Sequence, residues 1–336
     1  MDTPHLPATG FNTSNPCHRQ HQRNDTPPST PNTMASSAHQ LADELRSIYH
    51  SLVVLPSLVP GEQVNRLLTR LVNLCTAPYS DDLASYLLSI QGVDDLCKQL
   101  RPLCATAEGE LERHWASRII EESTRLQSTH TPYPTPLRSK PPFKHQLTTP
   151  TPLSPTCRPT PCRLAFLGSG PLPLTSLCLL ARYPDARVHN IDRDIDALGV
   201  SRRLAERLGG DVSGRMSWAC EDVAADESAR GGGVDKDKDK DGFLAKTDWR
   251  AFQVVFLAAL VGLDTQAKLA VLEMLARKLE VGTLVVVRSA RGLRGVLYPV
   301  LELSDDLARI GYEVLVEVHP WTKVVNSIVI LRVKER

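Results

Sequence analysis

The chain has 336 residues and a net charge of only +1, from 39 Lys and Arg against 38 Asp and Glu. A chain of this length can bury a large core and still form a cleft for a small molecule, whereas the balanced charge predicts no basic surface for a nucleic-acid partner. The opening MDTPHLPATG lacks the basic start and apolar run of a signal peptide, and the longest apolar runs are too short to cross a bilayer. We therefore expect a cytoplasmic protein with no membrane partner. The sequence does not indicate its oligomeric state.

Three segments of different composition precede the C-terminal half. Residues 1–38 are rich in Pro, Thr, Ser, Asn, Gln and His and poor in aliphatic side chains, which predicts a disordered tail. Apolar residues then recur at helical spacing, so residues 39–127 are expected to form a helical N-terminal domain. The Pro- and Thr-rich residues 128–162 are predicted to be an extended linker.

The C-terminal half, residues 163–336, alternates apolar strands with helices, which predicts a parallel sheet covered on both faces. The last two strands are joined only by HPWTKV and must therefore be antiparallel. By analogy of fold, a Rossmann-like α/β sheet with such an end is the shape of S-adenosylmethionine-dependent transferases rather than of most nicotinamide dehydrogenases. The predicted strands are 163–167, 187–191, 215–220, 253–258, 283–288, 312–318 and 325–333, and the predicted helices are 173–182, 194–208, 265–280 and 295–310.

The first strand runs into Gly168-Ser169-Gly170-Pro171, the first part of a predicted ligand site. The two glycines allow a ligand to approach the backbone, and prolines suit the start of a helix. Position 173 holds Pro where a third glycine would complete the dinucleotide fingerprint, which argues against NAD.

Carboxylates at the ends of the next two strands extend this site. Asp192 closes the second strand, where it would accept hydrogen bonds from two ribose hydroxyls. Glu221 and Asp222 close the third strand, where Asp222 would accept a hydrogen bond from the adenine amino group. Leu257 and Ala258, at the end of the fourth strand, are assigned to the same site. The sequence thus predicts that S-adenosylmethionine binds at this edge of the sheet.

Neither the cysteines nor the acidic residues predict a metal site. The eight cysteines are scattered without a CxxC pair, so neither a zinc site nor a disulfide framework is indicated. No amphipathic helix precedes the low-complexity insert 225–247, so we expect it to be a solvated surface loop and the protein to need no metal. Within and just after this insert, EF-hand spacing is matched by Asp237, Asp239, Asp241, Gly242, Leu244 and Asp248, with Asp in place of the bidentate Glu.

Six runs, spread over about residues 45–120 and 163–333, carry a family resemblance: LPSLVPGEQVNRLLTRLVNLC (55–75), LCATAEGELERHWA (103–116), FLGSGPLPLTS (166–176), FLAALVGLD (256–264), RSARGLRGVLYP (288–299) and HPWTKVVNSIVI (319–330). On these runs the chain resembles the nicotianamine synthase family. The resemblance implies that the helical domain closes over the Rossmann-like domain. It also implies that aminopropyl groups pass between three S-adenosylmethionine molecules to give nicotianamine, with release of methylthioadenosine each time.

Aminopropyl transfer needs a residue that acts on the attacking amine. The amine must lie in line with the methylene of the methionine chain, and it is protonated at neutral pH, so it requires a base. Glu108 and Glu112 are four residues apart and share a face of a predicted helix, while Glu110 points elsewhere. The resemblance implies that a glutamate of this run serves the reaction, and we assign that role to Glu108, with Glu112 as second choice.

Further site residues follow from the resemblance. Tyr133 stands at the position of the family's tyrosine, although Pro-Thr-Pro-Leu-Arg replaces the residues that normally follow it. His319 and Asn326 are assigned to the bound amino acid, and Arg288 and Arg291 to its carboxylate. For each of them the alternative is a role in stabilising a loop.

Three other functions remain open. The first is a related enzyme that moves one aminopropyl group onto a different amino acid, such as histidine. The second is an S-adenosylmethionine-dependent methyltransferase acting on a small molecule. The third is a non-catalytic sensor that binds S-adenosylmethionine.

Overall fold

The computed structural model describes residues 31–128, 161–223, 246–320 and 324–335. Tyr133, nearly all of the predicted linker, the insert up to residue 245 and the first 30 residues lie outside this range. The described residues form a group of N-terminal helices followed by a seven-stranded sheet with flanking helices.

The N-terminal helices are amphipathic and pack on one another. The helix α2 shows the pattern clearly, because its buried residues recur every three or four positions: Val64, Leu67, Leu71, Leu74 and Cys75. The four helices are α1 (Pro31–Val53), α2 (Glu62–Thr76), α3 (Asp81–Ser89) and α4 (Val93–Ser128).

The start of α1 corrects the predicted tail, which was expected to extend to residue 38. The helix begins at Pro31, a residue that suits a first helical position because its missing N–H has no partner there. Ala38 is fully buried against the other helices, so the end of the low-complexity region gains packing that its composition does not reveal.

The helix α4 is 36 residues long and carries both Glu108 and Glu112. The apolar residues from Leu96 to Leu103 and those at Leu111 and Trp115 therefore belong to one continuous helix. Pro102 lies inside this helix, where it removes one backbone donor without ending the helix.

The sheet has the strand order β3-β2-β1-β4-β5-β7-β6. The first five strands are parallel, while β7 is antiparallel to both β5 and β6, as the short connection between the last two strands predicts. The strands are β1 (Arg163–Leu167), β2 (Arg187–Asp192), β3 (Met216–Cys220), β4 (Val254–Leu257), β5 (Leu284–Ser289), β6 (Tyr312–Val318) and β7 (Ser327–Val333).

Helices connect these strands, and each predicted helix is present except the one after β5. The predicted helix 295–310 is wrong: a 3-10 helix covers Gly292–Val296, and the next helix begins only at Asp305. Pro299 explains the break, because it lacks an N–H and disfavours a helical conformation at the residue before it. The remaining helices are α5 (Leu174–Arg182), α6 (Ile195–Leu208), α7 (Gly210–Ser213), α8 (Thr265–Lys278) and α9 (Asp305–Arg309), with a second 3-10 helix at Trp249–Ala251.

The N-terminal helices and the sheet share buried apolar contacts. One hydrophobic core joins residues of α1 to α4 with the segment after β5, including Leu293, Leu297 and Tyr298. A smaller core joins Ala116 of α4 with Leu204 of α6. These contacts hold α4 across the end of the sheet at which the parallel strands finish. Within the described ranges, no helix is long and apolar enough to cross a membrane.

Candidate active site

The loop after β1 contains two glycines whose conformations bring the backbone close to other elements. Gly168 and Gly170 have φ values of 74° and 64°, in the left-handed region that favours glycine. A Cβ atom at Gly168 would lie 2.6 Å from Val261 Cγ2 and 3.0 Å from Ala258 Cβ, in the chain that follows β4. A Cβ atom at Gly170 would collide with Oε2 of Glu112. Only glycine permits both of these close approaches.

Asp192 ends β2 beside this loop. Its Oδ2 atom accepts a hydrogen bond from the Gly170 N–H at 2.9 Å, and its Oδ1 atom accepts one from the Asp194 N–H at 3.0 Å. Burial, followed by the charge of Asp194, raises the pKa of Asp192, while the N–H donors oppose the rise. Each oxygen of a carboxylate has two acceptor sites, so Asp192 can still accept hydrogen bonds from a ligand.

Glu112 of α4 faces the glycine loop from the other side. It contacts Gly170 and accepts a hydrogen bond from the Leu172 backbone. Part of the Glu112 side chain remains accessible to solvent, but protein surrounds its carboxyl group. This loss of hydration raises the pKa of Glu112 to about 8, and the charges of Glu108 and Asp192 act in the same direction. The free protein therefore holds Glu112 largely protonated at neutral pH.

Glu108 lies one helical turn before Glu112 and is tied to the segment after β5. Tyr298 O–H donates a hydrogen bond to Glu108 Oε1. The Tyr298 side chain is only 2% exposed, and burial together with the neighbouring Glu108 raises the pKa of Tyr298 well above its ordinary value. Tyr298 therefore remains a hydrogen-bond donor at any physiological pH.

Arg288, on β5, supplies a cation to this group of side chains. Its Nη2 atom donates to Thr175 Oγ1 at 2.7 Å, and its guanidinium carbon lies 5.8 Å from the centroid of the Phe166 ring. Burial lowers the pKa of Arg288, while Tyr298 and the two glutamates act in the opposite direction. A guanidinium stays protonated in proteins, so Arg288 carries a positive charge beside Glu108 and Glu112.

The electrostatic character of the cleft follows from this arrangement. Glu108, Glu112 and Asp192 contribute three carboxyl groups, and Arg288 contributes one guanidinium, close enough for their charges to shift one another's pKa. Among these described side chains, acidic groups outnumber basic groups, and a positively charged ligand would relieve the repulsion between the carboxylates. The cleft is thus suited to a cation such as a sulfonium or an ammonium.

Two further residues assigned from the sequence are buried at the same edge of the sheet. Ser169 Oγ and Asn326 Oδ1 have no hydrogen-bond partner among the residues that the structure describes, and both residues are at most 3% exposed. Asn326 immediately precedes β7, whose first residue, Ser327, pairs with Ser289 at the end of β5. Leu257 is fully buried opposite Leu167 at the end of β4.

Three assigned residues are not brought into this cluster. Asp222 is exposed beyond β3. Arg291 donates to Asp81 of α3 at 2.9 Å on the surface, so it joins the N-terminal helices to the sheet. His319 lies beside β7, where Nδ1 is 2.8 Å from Ser327 Oγ and Nε2 is 3.3 Å from a carboxylate of β6.

A metal site is not visible in the part of the chain that the structure describes, where no group of three or more His, Cys, Asp or Glu side chains could hold an ion. Of the residues with EF-hand spacing, Asp248 is described and exposed, and those from Asp237 to Leu244 fall outside the described ranges. That the protein needs no metal stays a prediction.

The strand order, the antiparallel end and the N-terminal helices define an α/β protein with the fold of the S-adenosylmethionine-dependent methyltransferases, as the sequence predicts. Solved structures of MtNAS have this architecture throughout. MtNAS in complex with MTA and tNA superimposes with a TM-score of 0.59 at 19% identity, over 90% of this chain and 98% of MtNAS. A Glu-to-Gln variant of MtNAS in complex with S-adenosylmethionine superimposes with a TM-score of 0.58 at 19% identity, over 88% of this chain and 98% of the variant.

Sequence comparison identifies the family. The family model described as nicotianamine synthase protein matches residues 34–230 and 239–336. Nicotianamine synthase 3 of Oryza sativa subsp. indica is 36% identical over 295 residues, which are 87% of this chain and 78% of the relative. Nicotianamine synthase 2 of Arabidopsis thaliana is 33% identical over 303 residues, 89% and 85% of the two chains. The chain belongs to the nicotianamine synthase family, which confirms the resemblance found in the sequence.

Tyr298 is the residue of this cluster that the sequence analysis missed. Its run, RSARGLRGVLYP, was among those that carry the resemblance, and its aromatic side chain next to Pro299 was the available signal. Its partner Glu108 is 190 positions away along the chain, so no local pattern could reveal the contact.

Proposed function

We propose that this protein is a nicotianamine synthase that joins three S-adenosylmethionine molecules by successive aminopropyl transfer and releases methylthioadenosine at each step. The observation that carries the proposal is the pair of glutamates on α4. Glu112 touches the glycine loop at Gly170, and Glu108, one turn earlier, is held by Tyr298. Two carboxyl groups one turn apart on α4 thus lie at and next to the loop where, in this proposal, the sulfonium substrate binds.

The substrate's nucleoside would occupy the ends of the parallel strands. In this proposal the loop Gly168-Ser169-Gly170-Pro171 lies against the methionine part, Asp192 accepts hydrogen bonds from the ribose, and Asp222 meets the adenine amino group. Leu257 and Ala258 form the wall at the end of β4. Ala258 already contacts the position that a Gly168 side chain would take, which leaves room only for backbone at this point.

The proposed chemical step is a displacement at carbon. The nitrogen of the attacking amine forms a bond to the methylene carbon of the methionine chain next to sulfur, and the carbon–sulfur bond breaks. Its electron pair neutralises the sulfonium, so methylthioadenosine leaves uncharged. The proton lost by the amine passes to Glu108, whose carboxylate also orients the amine before attack.

The acidic character of the cleft supports this chemistry at the binding stage. The sulfonium and the α-ammonium are both cations, and each would favour the ionised forms of Glu108 and Glu112. The half-buried Arg288 is suited to the carboxylate of the substrate, which a guanidinium binds through paired hydrogen bonds. Asn326 Oδ1, which is buried and has no hydrogen-bond partner among the described residues, offers an acceptor for an ammonium. His319 and Tyr133 remain proposed contacts of the amino acid.

The test is to incubate the purified protein with S-adenosylmethionine alone and identify the products by mass spectrometry. We expect methylthioadenosine and nicotianamine without a second substrate. S-adenosylhomocysteine would instead indicate a methyltransferase. Methylthioadenosine that forms only after another amino acid is added would indicate a different aminopropyl transferase, and binding without turnover would indicate a sensor. Chelation with EDTA should not change the rate, since we propose no metal.

A further inference from the structure

Thr175 and Phe166 contact the guanidinium of Arg288 from the two sides of the glycine loop. Arg288 Nη2 donates to Thr175 Oγ1 at 2.7 Å, and the guanidinium carbon lies 5.8 Å from the centroid of the Phe166 ring, within the range of a cation–π contact. Phe166 lies in β1 just before the loop 168–171, and Thr175 lies in the first turn of α5 just after it. The two contacts therefore place the guanidinium beside the loop.

The first turn of α5 is itself anchored to the sheet. Ser176, the neighbour of Thr175, is fully buried, and its hydroxyl donates to Asn190 Oδ1 of β2 at 2.6 Å. Asn190 is also fully buried, and its Nδ2 atom donates to the Ser217 carbonyl of β3 at 3.3 Å. Buried hydrogen bonds of this kind make a structure rigid, so the Thr175 hydroxyl is an acceptor at a fixed position.

The surroundings of this contact favour one orientation of the guanidinium. Thr175 and Arg288 line a narrow cavity on the face of the sheet, and most of the other side chains that line it are apolar, for example Leu179, Phe256 and Val286. An N–H group that faces apolar side chains without an acceptor raises the free energy of the folded protein. The Thr175 hydroxyl supplies an acceptor in this wall, so the guanidinium is most stable when it points to Thr175.

A second influence acts on the same guanidinium from α4. The charges of Glu108 and Glu112 attract Arg288. Without the Thr175 hydroxyl, these charges would draw the guanidinium away from the loop and toward the glutamates. Thr175 therefore opposes a movement that would turn Arg288 away from a ligand at the loop.

We propose that Thr175 is a positioning residue for recognition of the substrate's carboxylate: its hydroxyl orients the Arg288 guanidinium so that it binds the carboxylate of the methionine part of S-adenosylmethionine. This inference rests on the proposed function, which places the methionine part against the glycine loop. A guanidinium has several N–H donors in one plane, and paired hydrogen bonds to a carboxylate require that plane to be oriented. Thr175 does not touch the substrate in this account.

The test compares two ligands that differ only in the carboxylate. S-adenosylhomocysteine is a thioether that cannot pass on its aminopropyl chain, and the second ligand is the same thioether without its carboxylate. Calorimetric titration measures both affinities. Thr175→Val replaces the hydroxyl by a methyl group, and we expect it to lower the affinity for S-adenosylhomocysteine by roughly tenfold while the affinity for the decarboxylated ligand stays the same. Thr175→Ser keeps the hydroxyl and should retain most of the wild-type preference.

Thr283→Val is the matched control. Thr283 is buried, and its hydroxyl donates to the Phe252 carbonyl at 3.2 Å, just before β5 and at the other end of that strand from Arg288. Its loss should leave the preference for the carboxylate unchanged. Arg288→Gln should remove the preference, and Thr175→Val should have no further effect in that background. Methylthioadenosine has no amino-acid part and should bind to all of these variants with similar affinity.

These binding measurements separate the inference from the proposed function. If the wild-type protein releases no methylthioadenosine from S-adenosylmethionine, the proposed function fails. If Thr175→Val keeps the wild-type preference for the carboxylate, or loses affinity for both thioethers equally, the inference about Thr175 fails. If Thr175→Val does not fold, as loss of methylthioadenosine binding would show, Thr175→Ala provides the same comparison with the same two outcomes.

Discussion

The contact between Gly170 and Glu112 couples the glycine loop to the N-terminal helices. Gly170 has a positive φ, and Glu112 fills the space that any side chain at position 170 would need. At the same time the Gly170 N–H is bound to Asp192. One residue thus fixes the distances among the loop, the carboxylate of β2 and the carboxylate of α4.

Gly170→Ala tests this contact. The new methyl group would be strained by the positive φ and would displace Glu112, so we expect affinity for S-adenosylmethionine to fall by on the order of tenfold or more. Calorimetric titration measures that affinity. Gly282→Ala is the control, because Gly282 also has a positive φ, of 89°, but its Cβ would meet open space. Equal loss of affinity in both variants would show that backbone strain, and not the contact with Glu112, is responsible.

Glu108→Gln tests the proposed base. The amide keeps the shape of the side chain but removes its charge and basicity, so the chemical step should slow by on the order of 100-fold or more. Binding groups on the sheet are untouched, so affinity for S-adenosylmethionine should stay near that of wild type. Release of methylthioadenosine and binding are measured on the same preparation. Near-normal turnover in Glu108→Gln, with loss in Glu112→Gln, would move the role to Glu112.

The protonation of Glu112 gives a prediction about pH. Burial and neighbouring carboxylates raise its pKa to about 8, so at pH 7 the free protein carries the proton. A bound sulfonium favours the ionised form, and Glu112 should therefore release up to about one proton when S-adenosylmethionine binds. Titration calorimetry in buffers of different ionisation enthalpy measures the release. Glu112→Gln should abolish it, and a binding heat that is independent of buffer in the wild type would contradict the account.

At the scale of elements, two basic side chains, the buried Lys268 and the half-buried Arg101, hold the chain between β4 and α8. Lys268 Nζ donates to the carbonyls of Ala259 and Val261 at 2.9 and 3.0 Å. Arg101 of α4 donates to the carbonyl of Leu263 at 3.3 Å. The carbonyls of Ala259, Val261 and Leu263, at every second position of one segment, thus accept hydrogen bonds from side chains of α8 and α4. Because this segment also contacts Gly168, these hydrogen bonds stabilise one wall of the candidate site.

Lys268→Met tests the first of these side chains through the pH dependence of the free energy of unfolding. Burial lowers the pKa of Lys268 from 10.5 to about 7. Between those values the unfolded chain binds a proton that the folded protein does not, so this residue makes the free energy of unfolding rise with pH. Denaturant titrations from pH 7 to 10 should show the rise in wild type and lose it in Lys268→Met. The exposed Lys334→Met should behave as wild type, and a rise that persists in Lys268→Met would exclude Lys268 as its source.

The elements that the sequence predicted correctly are those with a strong local pattern. Strands such as β1 and β5 are mostly apolar runs, and Asp194 and Asp264 cap α6 and α8, the helices that follow β2 and β4. The predictions failed where a tertiary contact or a single proline decided the outcome. Pro299 broke the predicted helix 295–310, and burial of Ala38 extended α1 into a segment of low-complexity composition.

At the scale of the molecule, the candidate site lies between two parts of the chain that are distant in sequence. The sequence predicted the strand ends, because parallel strands finish at one edge of the sheet, and it placed the two glutamates on one helix. It could not show that Glu112 meets Gly170 or that Glu108 meets Tyr298, because these contacts depend on how α4 crosses the sheet. The cross-contact of Arg113 with Asp194, at 3.1 Å, is a further product of that packing.

Position-specific isotope labelling tests the central claim most directly. The protein is supplied with S-adenosylmethionine labelled with carbon-13 either in the methyl group or in the aminopropyl chain, and the products are separated by mass. We predict that the methyl label stays in methylthioadenosine and that the chain label enters nicotianamine from all of the molecules that are joined. Transfer of the methyl label to another molecule, with the chain label left in S-adenosylhomocysteine, would contradict the account.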